Sequence, residues 1–345
     1  MLYNEKKIMF VNFRKILAKK LFDKRTKSKN QLDISKIGSI LILRDDNKIG
    51  DMVITTILFR EIKKQYPNIK IHVLCGKTNQ IIIKDNPYVD KIFICNDNFF
   101  QNIFVYKQIR KEKIDLVIDF LLFRPRPTQL LKLRIINSNF FLGLCKDGYN
   151  IYDLSLNVDY NSKHISKIYC EILKTLNIQN INTKYDIFLN NKYKDYAKSV
   201  MEQYKSTKKI FFNTHSASSY KTLSYNNVCK IIKLLKKENF KVILNSRYNI
   251  KDSDIIVLKK DDFRYILAVI EETDIVLTVD TSIVHVCNAF NKKMVSIYLN
   301  DKYKEEKLSS VWAPNYNNAI QLLSKTNDIN SIDNLEIIKA LKSLM

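Results

Sequence analysis

Three short polar stretches, each directly after an apolar run of strand length, hold the residue types that could do chemistry. The first is Arg44-Asp45-Asp46-Asn47-Lys48-Ile49-Gly50-Asp51, the second Thr214-His215-Ser216-Ala217-Ser218-Ser219-Tyr220-Lys221, and the third Asp280-Thr281-Ser282-Ile283-Val284-His285. In open α/β sheets ligands sit beyond the carboxyl ends of strands, so corners of this kind would line a cleft. Thr281 and Ser282 stand where a helix begins and can offer hydroxyl and backbone donors to an anion, aided by the helix dipole; the commoner use of such residues is to cap the helix. Asp280 can bind ligand hydroxyls or organise its own loop. His285, one turn further on, can reach the same anion or serve as a structural histidine against the sheet. Lys221 carries a mobile positive charge, with His215 and Ser216 as weaker candidates from the same corner. Gly50 permits close approach, and Asp51 either points a carboxylate into the cleft or caps the helix that follows.

The elements that must position these corners alternate. Candidate strands fall at Ile40–Leu43, Ile69–Cys75, Lys91–Cys95, Leu116–Phe120 and Phe140–Leu144, with helical patterns such as Thr55–Tyr66 and Asn102–Lys111 between them. A second series follows at Ile210–Asn213, Val242–Leu244, Ile255–Leu258, Ile275–Val279 and Val295–Leu299, with helices near 224–238, 262–272 and 282–290. Such alternation implies parallel sheets with crossover helices. The organisation expected is a basic extension over 1–34, one Rossmann-like domain over 35–190 and another over 191–345. A final helix near 335–344 could pack on either.

Composition bounds the partners. The chain has 345 residues, 46% hydrophobic, enough for two cores. Lys and Arg number 58 against 35 Asp and Glu, a net charge of +23 that favours anionic partners: nucleic acid, phosphorylated substrates or an acidic membrane surface. The six cysteines are scattered without a CxxC pair, which fits a reducing cytoplasm. No apolar run approaches the ~20 residues of a membrane span. The first thirty residues carry ten Lys or Arg and two acidic residues, with Phe10, Phe13, Leu17 and Leu21 at helical spacing. This basic amphipathic segment either packs on the domain or attaches to an anionic membrane. None of the five glycines is spaced as GxGxxG, the Gly76-Lys77-Thr78 stretch lacks the earlier glycine of a phosphate loop, and the four histidines form no HxxxH pair.

Together the corners resemble glycosyltransferase family 9, the ADP-heptose:lipopolysaccharide heptosyltransferases. "ILILRDDNKIGDMVITTILFREIKKQYPNIKIHVL" is similar to the family's N-terminal signature of strand, polar loop, Gly-Asp and helix, and "DIVLTVDTSIVHVCNAFNKKMVSIY" to its C-terminal one. The resemblance spans roughly residues 38–300. Ser282 stands at a usual glycine position, and Leu223-Ser224 where Trp-Pro is common. The resemblance implies a GT-B architecture, two Rossmann-like domains facing across a cleft, and inverting transfer without metal or other cofactor. It implies Asp51 as general base, with Asp45 or Asp46 next in line. Lys221, Ser216, Asp280, Thr281, Ser282 and His285 would hold an ADP-heptose donor or a similar nucleotide sugar. Gly50, Arg124 and Arg126 would meet an anionic lipopolysaccharide acceptor, whereas Lys132 and Arg134 read equally well as a solvated basic loop. The implied setting is cytoplasmic, with peripheral contact at the inner membrane. Transfer of another sugar is the alternative within enzymes, and a basic nucleic-acid-binding or scaffold protein the alternative outside them, though no RNA-binding signature supports it.

Overall fold

The computed structural model describes residues 16–24, 32–122, 125–161, 163–258, 262–301 and 308–345. Its first half contains β1 (Ser39–Arg44), α1 (Ile49–Gln65), β2 (Lys70–Gly76), β3 (Lys91–Cys95), α2 (Phe99–Lys111), β4 (Leu116–Asp119), α3 (Pro127–Ile136), β5 (Phe140–Leu144), β6 (Leu154–Leu156) and α4 (Ile165–Thr175). The second half contains α5 (Asn191–Glu202), β7 (Lys208–Asn213), α6 (Tyr225–Lys237), β8 (Phe240–Asn245), β9 (Ile256–Val257), α7 (Phe263–Glu272), β10 (Ile275–Val279), α8 (Ser282–Ala289), β11 (Lys293–Tyr298), α9 (Leu308–Val311), β12 (Ala319–Leu323) and α10 (Asn334–Ser343).

The strands form two six-stranded sheets, ordered β3-β2-β1-β4-β5-β6 and β12-β11-β10-β7-β8-β9, and every pairing is parallel. Each sheet reverses its winding once, between β1 and β4 in the first and between β7 and β10 in the second. A crevice opens at such a reversal because the flanking crossovers run to opposite sides. The first polar corner follows β1, the second follows β7 and the third follows β10. All three therefore stand at the switch points.

Edge strands β6 and β12 escaped the sequence reading. The exposed edges of β6 and β12 need only short, partly polar segments, and these carry a weak alternation signal. The last helix, α10, packs on α6 and β11 and so belongs to the second sheet.

Helix α1 differs from an ordinary surface helix: Met52 through Phe59 are all buried. A helix apolar on every side must be covered on every side. The first sheet covers one face, while α4 and α8 pack against others. One apolar core consequently runs from Ile40 and Ile42 through Val53 and Ile57 to Val284, Cys287 and Phe211, joining the two sheets. The segment after α4 is stapled along α1. Tyr66 donates to the Leu176 carbonyl at 2.8 Å, the Asp186 amide donates to Thr56 Oγ1 at 2.9 Å, and Arg60 pairs with Asp186.

At the crossing of α1 and α8 a Cβ added to Gly50 would lie 3.1 Å from His285 Cδ2 and 3.4 Å from Ser282 Cα. The glycine lets the two helix starts touch. Gly50→Val should cost roughly 1–3 kcal/mol of stability through overpacking. It should also push Ser282 and His285 at the start of α8 away from Asp51, because they meet the added side chain first. Denaturant melts of the two proteins check this, and an unchanged midpoint would mean that the crossing is loose.

Candidate active site at the two switch points

Helix α1 starts at Ile49, ahead of both Asp51 and the Thr55–Tyr66 pattern read from the sequence, so Gly50 and Asp51 lie inside its first turn. The N-cap position belongs to Lys48, which makes no side-chain cap bond. The expected alternative for Asp51, a capping role, therefore does not hold. Its carboxylate instead faces Arg44, whose Nη2 lies 2.8 Å from Asp51 Oδ1 and 2.9 Å from Asp46 Oδ2. The contact is ionic rather than a set of linear hydrogen bonds, since Nε and Nη2 have no acceptor along their N–H directions. Arg44 is 5% exposed. Burial opposes its charge, but Tyr169, Asp51 and Asp46 outweigh that effect and raise its pKa above the ordinary value. Sequence reasoning passed Arg44 over because an arginine ending a strand has no signature of its own.

The other two carboxylates of this corner are tied down. Asp46 accepts from the Lys48 amide at 3.1 Å, and burial raises its pKa despite Arg44. Asp45 accepts from Lys132 at 2.7 Å. Lys132, for which the sequence left open an acceptor contact or a solvated loop, is 2% exposed, because α3 carries it under the end of β1. Arg134 donates to the Lys24 carbonyl at 2.8 Å, binding the described N-terminal segment to α3. Arg126 stands exposed at the N-cap of α3, and Arg124 lies outside the described residues.

Across the cleft, Thr281 is the N-cap of α8 and accepts from the Ile283 amide at 3.1 Å. Its hydroxyl also lies 3.5 Å from Thr278 Oγ1, a long contact in which either oxygen can donate. Ser282 follows as the first residue of the helix. Lys221 reaches across from its turn to Asp280 at 2.5 Å, so two residues assigned to one ligand pair with each other in the free protein. Burial raises the Asp280 pKa and Lys221 partly offsets this. The Ser216 hydroxyl accepts from the Ser218 amide at 3.0 Å, and Arg247 donates to the Ser216 carbonyl at 2.8 Å; these bonds hold the loop in shape. Leu223, at the position of the expected departure, is fully buried, and Ser224 caps α6.

His285 is 4% exposed. Its ring meets Tyr185 and Trp312 edge-on, at centroid distances of 5.8 Å and 6.0 Å, and its Nδ1 has no partner. Burial pushes its pKa down to about 4. It borders the cavity as a neutral ring.

Two cavities meet here. One of about 280 Å³ lies at the first sheet's switch point, lined by Arg44, Asp45, Asp46, Asp119 and apolar side chains including Phe120, Ile168 and Tyr169. The other, about 640 Å³, is lined by Gly50, Ser216, Lys221, Arg247, Asp280, Thr281, Ser282 and His285. Asp51, Lys48 and Trp312 line both. Trp312, the only tryptophan of the chain, was also missed, because an isolated aromatic between two elements carries no periodic signal. Among the described residues no three His, Cys, Asp or Glu side chains converge as a metal-binding group.

Two parallel α/β sheets with switch points facing across a shared cleft define a GT-B fold. The chain belongs to glycosyltransferase family 9 (heptosyltransferase), whose model matches residues 151–338, and it is a glycosyltransferase. It is 26% identical to "Putative lipopolysaccharide heptosyltransferase 4" of Escherichia coli (strain K12) over 99% of this chain and 97% of that protein. Among solved structures, a family 9 glycosyl transferase from Veillonella parvula superposes with a TM-score of 0.75 at 16% identity, covering 92% of this chain and 99% of that one. The E. coli ADP-heptose lps heptosyltransferase II gives a TM-score of 0.71 at 14% identity, covering 89% and 98%.

The histidines set the acid behaviour. Burial holds all four below the usual imidazole range. For His285 the unfolded chain binds a proton below about 6.5 and the folded one only near 4. Stability should therefore be full above 6.5 and fall as pH drops from 6.5 towards 4. His285→Gln should lower the overall melting point yet flatten that slope by about one proton. An identical slope in thermal melts across this window would contradict the buried neutral ring.

Proposed function

We propose that the protein is an inverting, metal-independent transferase that moves a heptose from ADP-heptose to a lipopolysaccharide core or related surface-glycan acceptor. The observation that carries this reading is Asp51, a carboxylate bordering both cavities. The larger, polar cavity suits the nucleotide sugar. Its α8 N-terminus, the Thr281 hydroxyl and the Lys221 ammonium can meet the diphosphate, with Lys221 exchanging Asp280 for phosphate oxygens. The smaller cavity suits the acceptor sugar, whose apolar ring face can lie against Phe120 or Trp312. Arg126, exposed at the start of α3, is a candidate contact for acceptor anions further out.

In the reaction the acceptor hydroxyl oxygen attacks the anomeric carbon and forms the new glycosidic bond. The bond from that carbon to the diphosphate oxygen breaks, and ADP leaves with the electron pair. The hydroxyl proton passes to the Asp51 carboxylate. Lys221 and the helix N-terminus stabilise the negative charge that grows on the departing diphosphate. Arg44 acts through Asp51 as a positioning residue, because a buried fixed cation holds the carboxylate at the junction. Membership of family 9 and the lipopolysaccharide heptosyltransferase relative support heptose as the sugar.

Binding separates this reading from a nucleic-acid role. ADP or ADP-heptose should raise the melting temperature and change Trp312 emission, while an oligonucleotide should do neither. Stabilisation by the oligonucleotide alone would overturn the transferase.

For Asp51→Asn, turnover should fall by roughly 10²–10⁴-fold with donor affinity retained. Because Asp46 still faces Arg44, the stability cost should stay near ~1–2 kcal/mol, below that of leaving a buried charge with no partner. Normal turnover in this variant would move the base elsewhere, to Asp45 or Asp46.

Lys221→Ala and Thr281→Ala should each slow transfer by roughly tenfold or more, because both act on the leaving group. Wild-type kinetics in both would show that the diphosphate lies elsewhere.

A further inference from the structure

Two of the most exposed large apolar side chains among the described residues stand together at the start of α2. Phe100 and Phe104 are 76% and 74% exposed and sit four residues apart, on one face. Lys107 and Lys111 continue that face, both exposed, at seven and eleven residues from Phe100. The opposite face of α2 is buried through Asn102, Tyr106 and Ile109. The aromatic pair is therefore not a core face awaiting its own sheet.

The turn that presents the pair is locked. Asn98 caps α2 by accepting from the Phe100 amide at 2.9 Å. Asn102 clamps the incoming strand, accepting from the Asn96 amide at 2.8 Å and donating to its carbonyl at 2.7 Å. Such a framework fixes the backbone that carries the two exposed phenyl rings. Exposed aromatics on a fixed convex turn make a wedge rather than a groove.

The location gives the wedge a meaning. Helix α2 begins directly after β3, so Phe100 and Phe104 lie towards the carboxyl end of the first sheet, the end that carries Asp51 and the smaller cavity. Asn47 of the first polar corner reaches Asp97 in the turn before α2, with a separation of 3.4 Å. The described N-terminal helix, residues 16–22, covers the same side of that sheet, since Phe22 and Phe99 pack on one apolar cluster. It too leaves apolar side chains outside: Ile16 is 68% exposed and Leu21 52%. Lys19, Lys20 and Lys24 stand among them. Apolar and aromatic tips interleaved with lysines, on a chain of net charge +23, match a surface that is apolar beneath and anionic on top.

We propose that this side of the first sheet docks on an anionic lipid bilayer, with Phe100 and Phe104 entering the headgroup boundary and Lys107 and Lys111 meeting lipid phosphates. Docking there turns the acceptor end of the cleft towards the membrane and brings a lipid-anchored acceptor to Asp51. This orientation rests on the acceptor reading above; the docking itself does not.

The test uses the full chain and sedimentation with vesicles. Wild-type protein should bind vesicles containing phosphatidylglycerol, bind neutral phosphatidylcholine vesicles weakly, and release as salt rises. The exposed double variant F100S/F104S should lose roughly tenfold or more of the binding, as should K107E/K111E. Both should keep wild-type ADP affinity and wild-type turnover on a soluble, delipidated acceptor. Wild-type vesicle binding by F100S/F104S would overturn the proposal, as would binding that depends on residues 1–30 alone. A wild-type dimer that F100S/F104S converts to monomer, without vesicle binding by either, would mean that a second copy covers the wedge and would equally overturn it. Vesicle binding lost as expected in a protein that neither binds ADP nor transfers sugar would keep the docking surface and overturn the functional reading alone.

Discussion

The crossing of α1 and α8 at Gly50 is the contact on which the cleft depends. Each helix leaves the switch point of its own sheet, and the two starts approach until a Cβ on Gly50 would lie only 3.1 Å from the His285 ring. Ser282 takes part in the same fit. With a side chain present on α8, the space must be left on α1, and Gly50 leaves it. The apolar core passing through α1 and α8 then fixes the distance between the corners with a hydrophobic interface rather than with a flexible hinge.

Charge is arranged in parallel on the two sides. At the first switch point Arg44 stands between Asp51 and Asp46, and at the second Lys221 stands against Asp280. The free protein thus neutralises its own cleft. The two pairs differ in what burial permits. Arg44 is enclosed and its planar guanidinium has nowhere to go, so it serves as a fixed support. The Lys221 side chain is 21% exposed on a flexible stem, so its ammonium can move away from Asp280. An enclosed cation and a movable one suit different tasks, and the residue types differ accordingly.

His285 illustrates how one residue can belong to the site and to the core together. Its ring packs against Tyr185, Trp312 and the Gly50 backbone, while its edge borders the larger cavity. Enclosure keeps it uncharged, so near neutral pH it contributes shape and dipole rather than a proton.

Much of this was legible in the sequence. The alternation of apolar runs and helical patterns fixed two parallel α/β units, because buried parallel strands must be continuously apolar. The three polar corners stood out because carboxylate, hydroxyl and lysine residues directly after such runs serve no core. Asp51, Lys221, Asp280, Thr281 and Ser282 all come from these corners and line one shared cleft. Other facts were decided only by tertiary structure, since they depend on approaches between segments far apart in the chain. That Lys132 is buried under Asp45, that Arg44 supports Asp51, and that Trp312 stands where the cavities meet are consequences of packing, which no local pattern encodes. The start of α1 is a milder case: an aspartate suits the first turn of a helix, but only the approach of α8 shows why a glycine stands beside it.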